Sequence, residues 1–200
     1  MKTKLVSFYV DVDGTDYYSR CAERLKKQCQ SLNIPHDIRQ YRSTGNWLKN
    51  CNLKPTFILE MFNELQYPFF WFDVDCEITK ELSFIDNCNC DISSVAFRGK
   101  SLIEPPLLVM DIIHYFNYNS IVADFLTEWK RKCDASVSQS IGDHRLFSAT
   151  LREFLNNPKF HFQYLPPNYA YGPDVKLGLA KEIPSRKVAM DKVHKEHVKI

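Results

Sequence analysis

Two pairs of aspartates are the residues of this 200-residue sequence whose type and spacing are best suited to chemistry. Asp11–Asp13 and Asp73–Asp75 each follow a short apolar run that is typical of a buried strand. Carboxylate oxygens are ligands that Mg²⁺ and Mn²⁺ prefer in proteins. Each pair could therefore hold a divalent cation, but the two pairs indicate different reactions.

The first pair resembles the opening motif of the haloacid-dehalogenase-like phosphatases, Asp-x-Asp-x-Thr after a strand. In that family the first aspartate, here Asp11, attacks phosphorus, and the second, here Asp13, acts as acid and base. The rest of the family's pattern is poorly matched. A late acid is available at Asp143, but the second acid expected four residues later is replaced by Phe147. We therefore keep a phosphatase built on Asp11 and Asp13 as the alternative function.

Apolar runs and helical periodicities alternate along the chain. They predict helices at 17–32, 55–65, 121–132 and 142–155, and strands at 5–10, 37–41, 69–72, 92–97, 107–113 and 160–165. This alternation predicts an α/β fold with a largely parallel sheet. The strand Phe69–Phe72 has no polar interruption and is expected at the centre. Sites in such sheets lie at the carboxyl ends of strands, where both aspartate pairs are placed.

Composition excludes several classes of function. The sequence has 26 basic and 24 acidic residues, so it lacks the charge excess of a nucleic-acid-binding protein. Seven irregularly spaced cysteines include Cys88 and Cys90, which are too close together for a zinc site, and indicate reduced thiols. With neither a signal peptide nor a transmembrane segment in the sequence, we expect a cytoplasmic protein.

The features around the second aspartate pair resemble those of the GT-A glycosyltransferases. A helix begins near Lys54, an aromatic strand follows, and Asp-x-Asp comes directly after it. A later helix opens with Asp143, in the style Asp-Gln-x-x-Leu of that family. The resemblance spans about residues 4 to 170 and is strongest to the small glycosyltransferase domains encoded by chlorella viruses, which would place the protein in a host cytoplasm.

This resemblance implies a single GT-A, Rossmann-like domain over residues 1–180, with a mixed, mostly parallel central sheet flanked by helices. Residues 181–200 would be a C-terminal helix or linker that closes over the site or leads into a longer multidomain chain. The implied activity is transfer of a hexose from a nucleoside-diphosphate donor, a UDP-sugar, to a glycan acceptor. Mn²⁺ or Mg²⁺ on the diphosphate would stabilise the charge of the leaving nucleotide.

The resemblance also assigns ligands of the metal and of the nucleotide. Asp73 and Asp75 would bind the cation, with His194 from the tail as a third ligand. The nucleotide would contact a set of residues from three segments: Tyr9, Val10, Asp11, Lys54, Asp73 and Val74. Among these, Asp11 would accept a hydrogen bond from the uracil N3–H, and Tyr9 would stack on the base.

The remaining assignments concern the sugar and the acceptor. Asp143 would be the general base for the acceptor in an inverting enzyme, or would hold sugar hydroxyls in a retaining one. His144 stands where the family often has Gln, beside the same sugar or acceptor. Arg98 follows a predicted strand and could meet the diphosphate or an acidic acceptor. Trp47 could stack on a sugar face.

Overall fold

The structure is a computed structural model that describes residues 3–12, 14–80, 88–98, 106–136, 141–166, 175–176 and 183–191. The strands are β1 (Lys4–Tyr9), β2 (His36–Gln40), β3 (Phe69–Phe72), β4 (Glu77–Ile78), β5 (Ile92–Ala96), β6 (Val109–Phe116), β7 (Phe162–Tyr164) and β8 (Val175–Lys176). The helices are α1 (Tyr17–Ser31), α2 (Trp47–Cys51), α3 (Lys54–Leu65), α4 (Ser120–Ala135) and α5 (Asp143–Phe154). In the part of the chain that the structure describes, none of the helices combines the length and the apolar character needed to cross a membrane.

A six-stranded sheet with the order β2-β1-β3-β6-β5-β7 forms the centre of the molecule. Strand β1 pairs in parallel with β2 and β3, and β5 pairs in parallel with β7. Strand β6 pairs antiparallel with both β3 and β5. Five strands therefore point the same way and β6 alone runs against them, so the predicted mixed, mostly parallel sheet is confirmed. Strands β4 and β8 form a second, small antiparallel sheet.

The sheet is covered on both faces by apolar side chains from the helices. On one face, α1 packs through Cys21, Leu25 and neighbours against Phe70 and Phe72 of β3. On the other face, α3, α4 and α5 pack together against Trp71 and the alternate side chains of the same strand. Strand β3 lies in the middle of the sheet, between β1 and β6, and all four of its residues are buried, as its uninterrupted apolar sequence predicts.

Local sequence signals explain where the helices next to the site begin and end. Helix α3 carries Pro55 in its first turn, where no backbone N–H partner is needed, and ends at Gln66 in a left-handed conformation (φ 55°). Helix α4 begins after Asn119, whose side chain accepts from the N–H of Val122. Helix α5 opens with Asp143, an acid favoured by the helix dipole at that end.

The predicted elements are all present, with bounds that differ by at most three residues. Strand β6 differs most, because it continues through Tyr115 and Phe116, beyond the predicted end at Ile113. Three short elements were not predicted from the sequence: α2, β4 and β8. Each is two to five residues long, too short to show a hydrophobic period. All seven cysteines are free thiols.

Of the tail 181–200, the structure describes only residues 183–191. Ile183 and Ala189 are buried and pack into the same core as α1, and residues 186–191 are helical. His194 lies outside the described residues, and its predicted place in a metal site stays a prediction.

Candidate active site

A cleft opens where the carboxyl ends of β1 and β3 meet. The two strands are parallel neighbours, with Val6 paired to Trp71, so the residues that follow them lie side by side. The cleft has a volume of about 190 Å³. Its lining comes from β1, α1, α2, α3 and the end of β3: Phe8, Tyr9, Val10, Tyr18, Trp47, Asn50, Cys51, Lys54, Trp71, Asp73, Val74 and Asp75. Aromatic rings and a pair of carboxylates thus line one cavity.

The Asp73–Asp75 turn is fixed by bonds to the sheet and to α1. The N–H of Asp73 donates to Ile112 in β6 over 2.8 Å, and the N–H of Cys76 donates back to the carbonyl of Asp73 over 3.0 Å. From α1, the Arg24 guanidinium donates to the carbonyl of Asp75 (2.9 Å) and to that of Cys76 (3.3 Å). These bonds hold the backbone from which both carboxylates project.

A buried lysine that lines the cleft joins three carboxylates, one from the cleft and two from the protein interior. Lys54 Nζ lies 3.1 Å from Asp73 Oδ1, 3.1 Å from Asp111 Oδ2 and 3.0 Å from Asp143 Oδ2. It also donates to the backbone carbonyl of Asp111 over 2.7 Å. The contact with Asp143 is an ion pair without hydrogen-bond geometry. The first turn of α3, the end of β3, the middle of β6 and the start of α5 thereby converge on one ammonium group.

Burial and mutual repulsion govern the protonation of this cluster. Burial by itself lowers the pKa of Lys54, but the three surrounding carboxylates raise it well above its usual range, so the lysine is charged. Burial raises the pKa of Asp143 to about 7, with Lys54 acting in the opposite direction. Burial likewise raises the pKa of Asp73 to about 8, although that side chain keeps 27% of its surface exposed.

Three aromatic side chains pack around the cluster inside the protein. His114 in β6 makes a hydrogen bond to Asp111 through Nε2 and stacks on Phe147 of α5, with ring centroids 4.2 Å apart. Trp129 of α4 donates through Nε1 to the backbone carbonyl of Asp143 over 3.1 Å. Because His114 and Trp129 each contact an element that carries a carboxylate, they fix the spacing between those elements.

The Asp73–Asp75 turn suits a hard divalent cation. Asp73 Oδ1 accepts from Trp71 Nε1 (3.1 Å) and faces Lys54, while its second oxygen is not part of these contacts. Asp75 is half-buried, and burial raises its pKa, a cost that a bound cation would offset. Across the described ranges, no three His, Cys, Asp or Glu side chains come together to hold an ion by themselves. Mg²⁺ commonly uses one or two carboxylates together with substrate phosphates, which fits this pair.

The cleft contains most of the residues predicted to bind the nucleotide. Tyr9, Val10, Lys54 and Val74 line it together with Asp73 and Asp75, and the half-buried Trp47 lies in its wall.

The other predicted site residues lie around the cleft. Asp11 directs Oδ1 to the N–H of Ser19 in the first turn of α1, at 2.9 Å, and its predicted bond to a base stays a prediction. Its phosphatase partner Asp13 lies outside the described residues. Arg98 is exposed two residues beyond β5, at the same edge of the sheet. His144 is half-buried beside Asp143, and its ring lies over Gly142, where an added Cβ would be 2.9 Å from the ring.

Sequence reasoning missed Asp111, His114, Tyr18 and Cys51. A signal for the first two was present, because β6 is otherwise apolar and both residues stand inside it. A buried charge in a strand requires a partner, which marks such positions as part of a network. Tyr18 and Cys51 carried no comparable signal, since a tyrosine or cysteine at the start or end of a helix is common in ordinary packing.

Comparison with known proteins places the fold. No protein-family model matches the chain. No curated protein matches it either. Among solved structures, the chain is similar to a glycosyltransferase involved in the glycosylation of the major capsid of PBCV-1, with a TM-score of 0.63 and 10% identity over 86% of each chain. It is also similar to the glycosyltransferase GlyE of Streptococcus pneumoniae TIGR4, with a TM-score of 0.55 and 10% identity over 97% of this chain. This chain spans about half of GlyE (51%). The protein therefore has a GT-A-like Rossmann fold shared with glycosyltransferases, one of them from a chlorella virus.

Proposed function

We propose that this protein is a glycosyltransferase that moves a sugar from a nucleoside diphosphate, a UDP-sugar, to a glycan acceptor. The observation that carries the proposal is the cleft at the ends of β1 and β3, which is lined both by aromatic rings and by the carboxylates of Asp73 and Asp75. A nucleotide-sugar needs both surfaces, because its base stacks on rings and its diphosphate is anionic. The fold shared with two glycosyltransferases supports the same reaction.

In this proposal Asp73 and Asp75 hold Mn²⁺ or Mg²⁺, which when bound would stabilise the charge on the departing diphosphate. Tyr9 and Trp47 stack on the base or on the sugar, and Val10 and Val74 enclose the nucleotide. Trp71 and Lys54 orient the carboxylate of Asp73 by direct contact.

Asp143 is proposed to act at the sugar and acceptor side together with its neighbour His144, and Arg98 is proposed to meet the diphosphate or the acceptor. A general base works best with a pKa close to the working pH, and burial raises the pKa of Asp143 to about 7. Its side chain is 7% exposed and paired with Lys54.

The test is a thermal-shift panel of UDP, GDP, TDP and their sugar derivatives, with and without Mn²⁺, followed by a donor hydrolysis assay. A ligand that binds only the folded state raises the melting temperature by mass action. We expect UDP-sugars to do so in the presence of Mn²⁺. Asp73→Asn and Asp75→Asn should both lose the Mn²⁺-dependent shift and the hydrolysis.

Asp37→Asn is the matched control, because Asp37 pairs with Arg39 near the amino end of β2, opposite the cleft. It should keep both signals. If the wild-type protein shows no shift with any nucleotide and instead hydrolyses phosphoesters in a manner lost in Asp11→Asn, the phosphatase alternative replaces this proposal.

A further inference from the structure

Asp111 and His114 are buried polar residues inside β6, a strand that is otherwise apolar. Their side chains are 2% and 0% exposed, and neither lines the cleft as described. An acid and an imidazole in the interior of a sheet are destabilising unless each is paired and hydrogen-bonded. The contacts of Asp111 and His114 therefore indicate the role of these two residues.

The carboxylate of Asp111 bridges the histidine and the lysine. Oδ1 is hydrogen-bonded to Nε2 of His114, and Oδ2 lies 3.1 Å from Lys54 Nζ. Burial first, and then the Lys54 charge, lower the pKa of His114 well below its usual range, so the ring is neutral. In that state Nε2 carries the proton and donates to Asp111, which remains the acceptor for both partners.

The ring of His114 also contacts the helix that carries Asp143. It stacks on Phe147 with an interplanar angle of 18°, and Phe147 follows Asp143 by one turn on the same side of α5. His114 is thus in contact with Asp111 through an edge nitrogen and with α5 through its face. Both contacts bear on the same ammonium group, since Lys54 lies between Asp111 and Asp143.

We propose that Asp111 and His114 are positioning residues that hold the Lys54 ammonium midway between Asp73, on the metal side, and Asp143, on the sugar side. This inference rests on the proposed function of the cleft and assigns a role to residues that would not touch donor or acceptor.

Lys54 needs positioning residues because of the nature of its side chain. Lys54 has a flexible four-carbon stem and a compact charge, so it can move toward whichever carboxylate attracts it most. Movement onto Asp73 would set the ammonium in competition with a divalent cation, and movement onto Asp143 would stabilise that carboxylate against taking up a proton. Lys54 Nζ donates two hydrogen bonds to Asp111, one to its backbone carbonyl and one to Oδ2, and these bonds restrain the ammonium to its central position.

Three variants separate positioning from packing. Asp111→Asn removes the charge while keeping the shape. His114→Phe keeps a ring for stacking on Phe147 but loses the Nε2 donor, whereas His114→Gln keeps a donor at a similar reach and loses the ring. Asp91→Asn is the matched control. Asp91 is a buried acid that accepts from Asn119 (2.7 Å) and from the N–H of His161 (2.7 Å), outside the cleft lining.

For each variant we would measure melting temperature, kcat, donor KM, the Mn²⁺ concentration that half-saturates turnover, and the thermal shift given by UDP with Mn²⁺. Outer partners of metal-site ligands are commonly worth about 10- to 100-fold in affinity or activity. We expect Asp111→Asn to raise the half-saturating Mn²⁺ concentration and lower kcat by about that factor, while Asp91→Asn changes neither and loses only stability.

The two His114 variants should rank in one order by melting temperature and in the opposite order by turnover. His114→Phe should melt higher because its ring still fills the core, and His114→Gln should turn over faster because it still donates to Asp111. If turnover instead follows melting temperature, or if Asp111→Asn matches Asp91→Asn in every kinetic constant, the positioning role is overturned. Should Asp111→Asn fail to fold, the ranking at His114 decides. If the wild-type protein shows neither nucleotide binding nor transfer, the proposed function itself is overturned. That result comes from the wild type alone and is therefore distinct from the results of the variants.

Discussion

The ammonium of Lys54 lies 3.1 Å from Oδ1 of Asp73, the first carboxylate of the proposed metal pair. The lysine side chain is 9% exposed and the aspartate 27%, so the pair lies at the boundary between the core and the cleft. One oxygen of Asp73 is thereby oriented from inside the protein, and the side of the residue that faces the cleft is available for a ligand. This relationship connects the stability of the core to the chemistry of the site.

The first prediction concerns the stability of that buried cluster. Lys54→Met would leave three carboxylates close together without their cation. Removing one partner of a buried ion pair typically destabilises a protein by roughly 3–5 kcal/mol, and we expect a loss of this size in urea unfolding. Lys132→Met is the control, because Lys132 pairs with the exposed Glu153 on the surface of α4 and α5 (2.6 Å). Such pairs contribute about 0–1 kcal/mol, and equal losses for the two variants would contradict the prediction.

The second prediction concerns the hydrogen bonds from Arg24 of α1 to the turn that carries Asp73 and Asp75. Arg24→Gln would remove the donor that holds the carbonyls of Asp75 and Cys76. Because the turn then orients its carboxylates less well, we expect the half-saturating Mn²⁺ concentration to rise by about 10-fold, with a smaller change in kcat. Isothermal titration of Mn²⁺ in the presence of UDP would measure it.

Arg20→Gln provides the control for this experiment, because Arg20 lies one turn earlier on α1 and pairs with the exposed Asp16 (2.6 Å). It should bind Mn²⁺ and UDP as the wild-type protein does. Identical Mn²⁺ affinities in Arg24→Gln and Arg20→Gln would show that α1 does not orient the turn.

The third prediction concerns Trp47, one of the aromatic side chains that line the cleft. Trp47 is half-buried and lines the cleft together with Asp73 and Asp75. Stacking of a base on an aromatic side chain is worth about 1–3 kcal/mol, so Trp47→Ala should weaken UDP binding by roughly 10-fold or more. Tyr164→Ala, at a ring that is 49% exposed in β7, should leave the dissociation constant unchanged. A Trp47→Ala protein that binds UDP normally would place the nucleotide elsewhere in the cleft.

The fourth prediction concerns pH and Asp143. Burial raises its pKa from 3.8 to about 7, so ionisation of this group disfavours the folded state. As pH rises from about 4 to about 7, the wild-type protein should lose stability relative to Asp143→Asn, and the difference should be constant above that range. Melting temperatures of both proteins across this range would measure the effect.

The same group should shape the pH dependence of turnover. If Asp143 is the general base, it acts only when ionised, and wild-type kcat should rise through about pH 7. Asp143→Asn should be slower by about 10²–10⁴-fold, with no rise over that interval. A variant that retained the wild-type pH profile would assign the base to another residue.

Much of the fold was determined by the sequence alone. The apolar run Phe69–Phe72 predicts a central strand because its residues leave no polar face for solvent, and β3 is buried along its whole length. Pro55 and the spacing of apolar residues after it predict α3 within one residue. The position of Asp73–Asp75 directly after a strand also placed these carboxylates at the correct edge of the sheet.

The partners of those carboxylates were decided by the tertiary structure. Lys54 and Asp111 are 57 positions apart in the sequence, and they meet only because β6 lies next to β3 and runs against it. Hydrophobic periodicity reports which side of an element is buried, but not which element covers it or in which direction a neighbouring strand runs. The sequence therefore determined the elements and the aspartates at their ends. The order of strands in the sheet decided which buried charges surround Lys54, because those contacts depend on distances that no local pattern encodes.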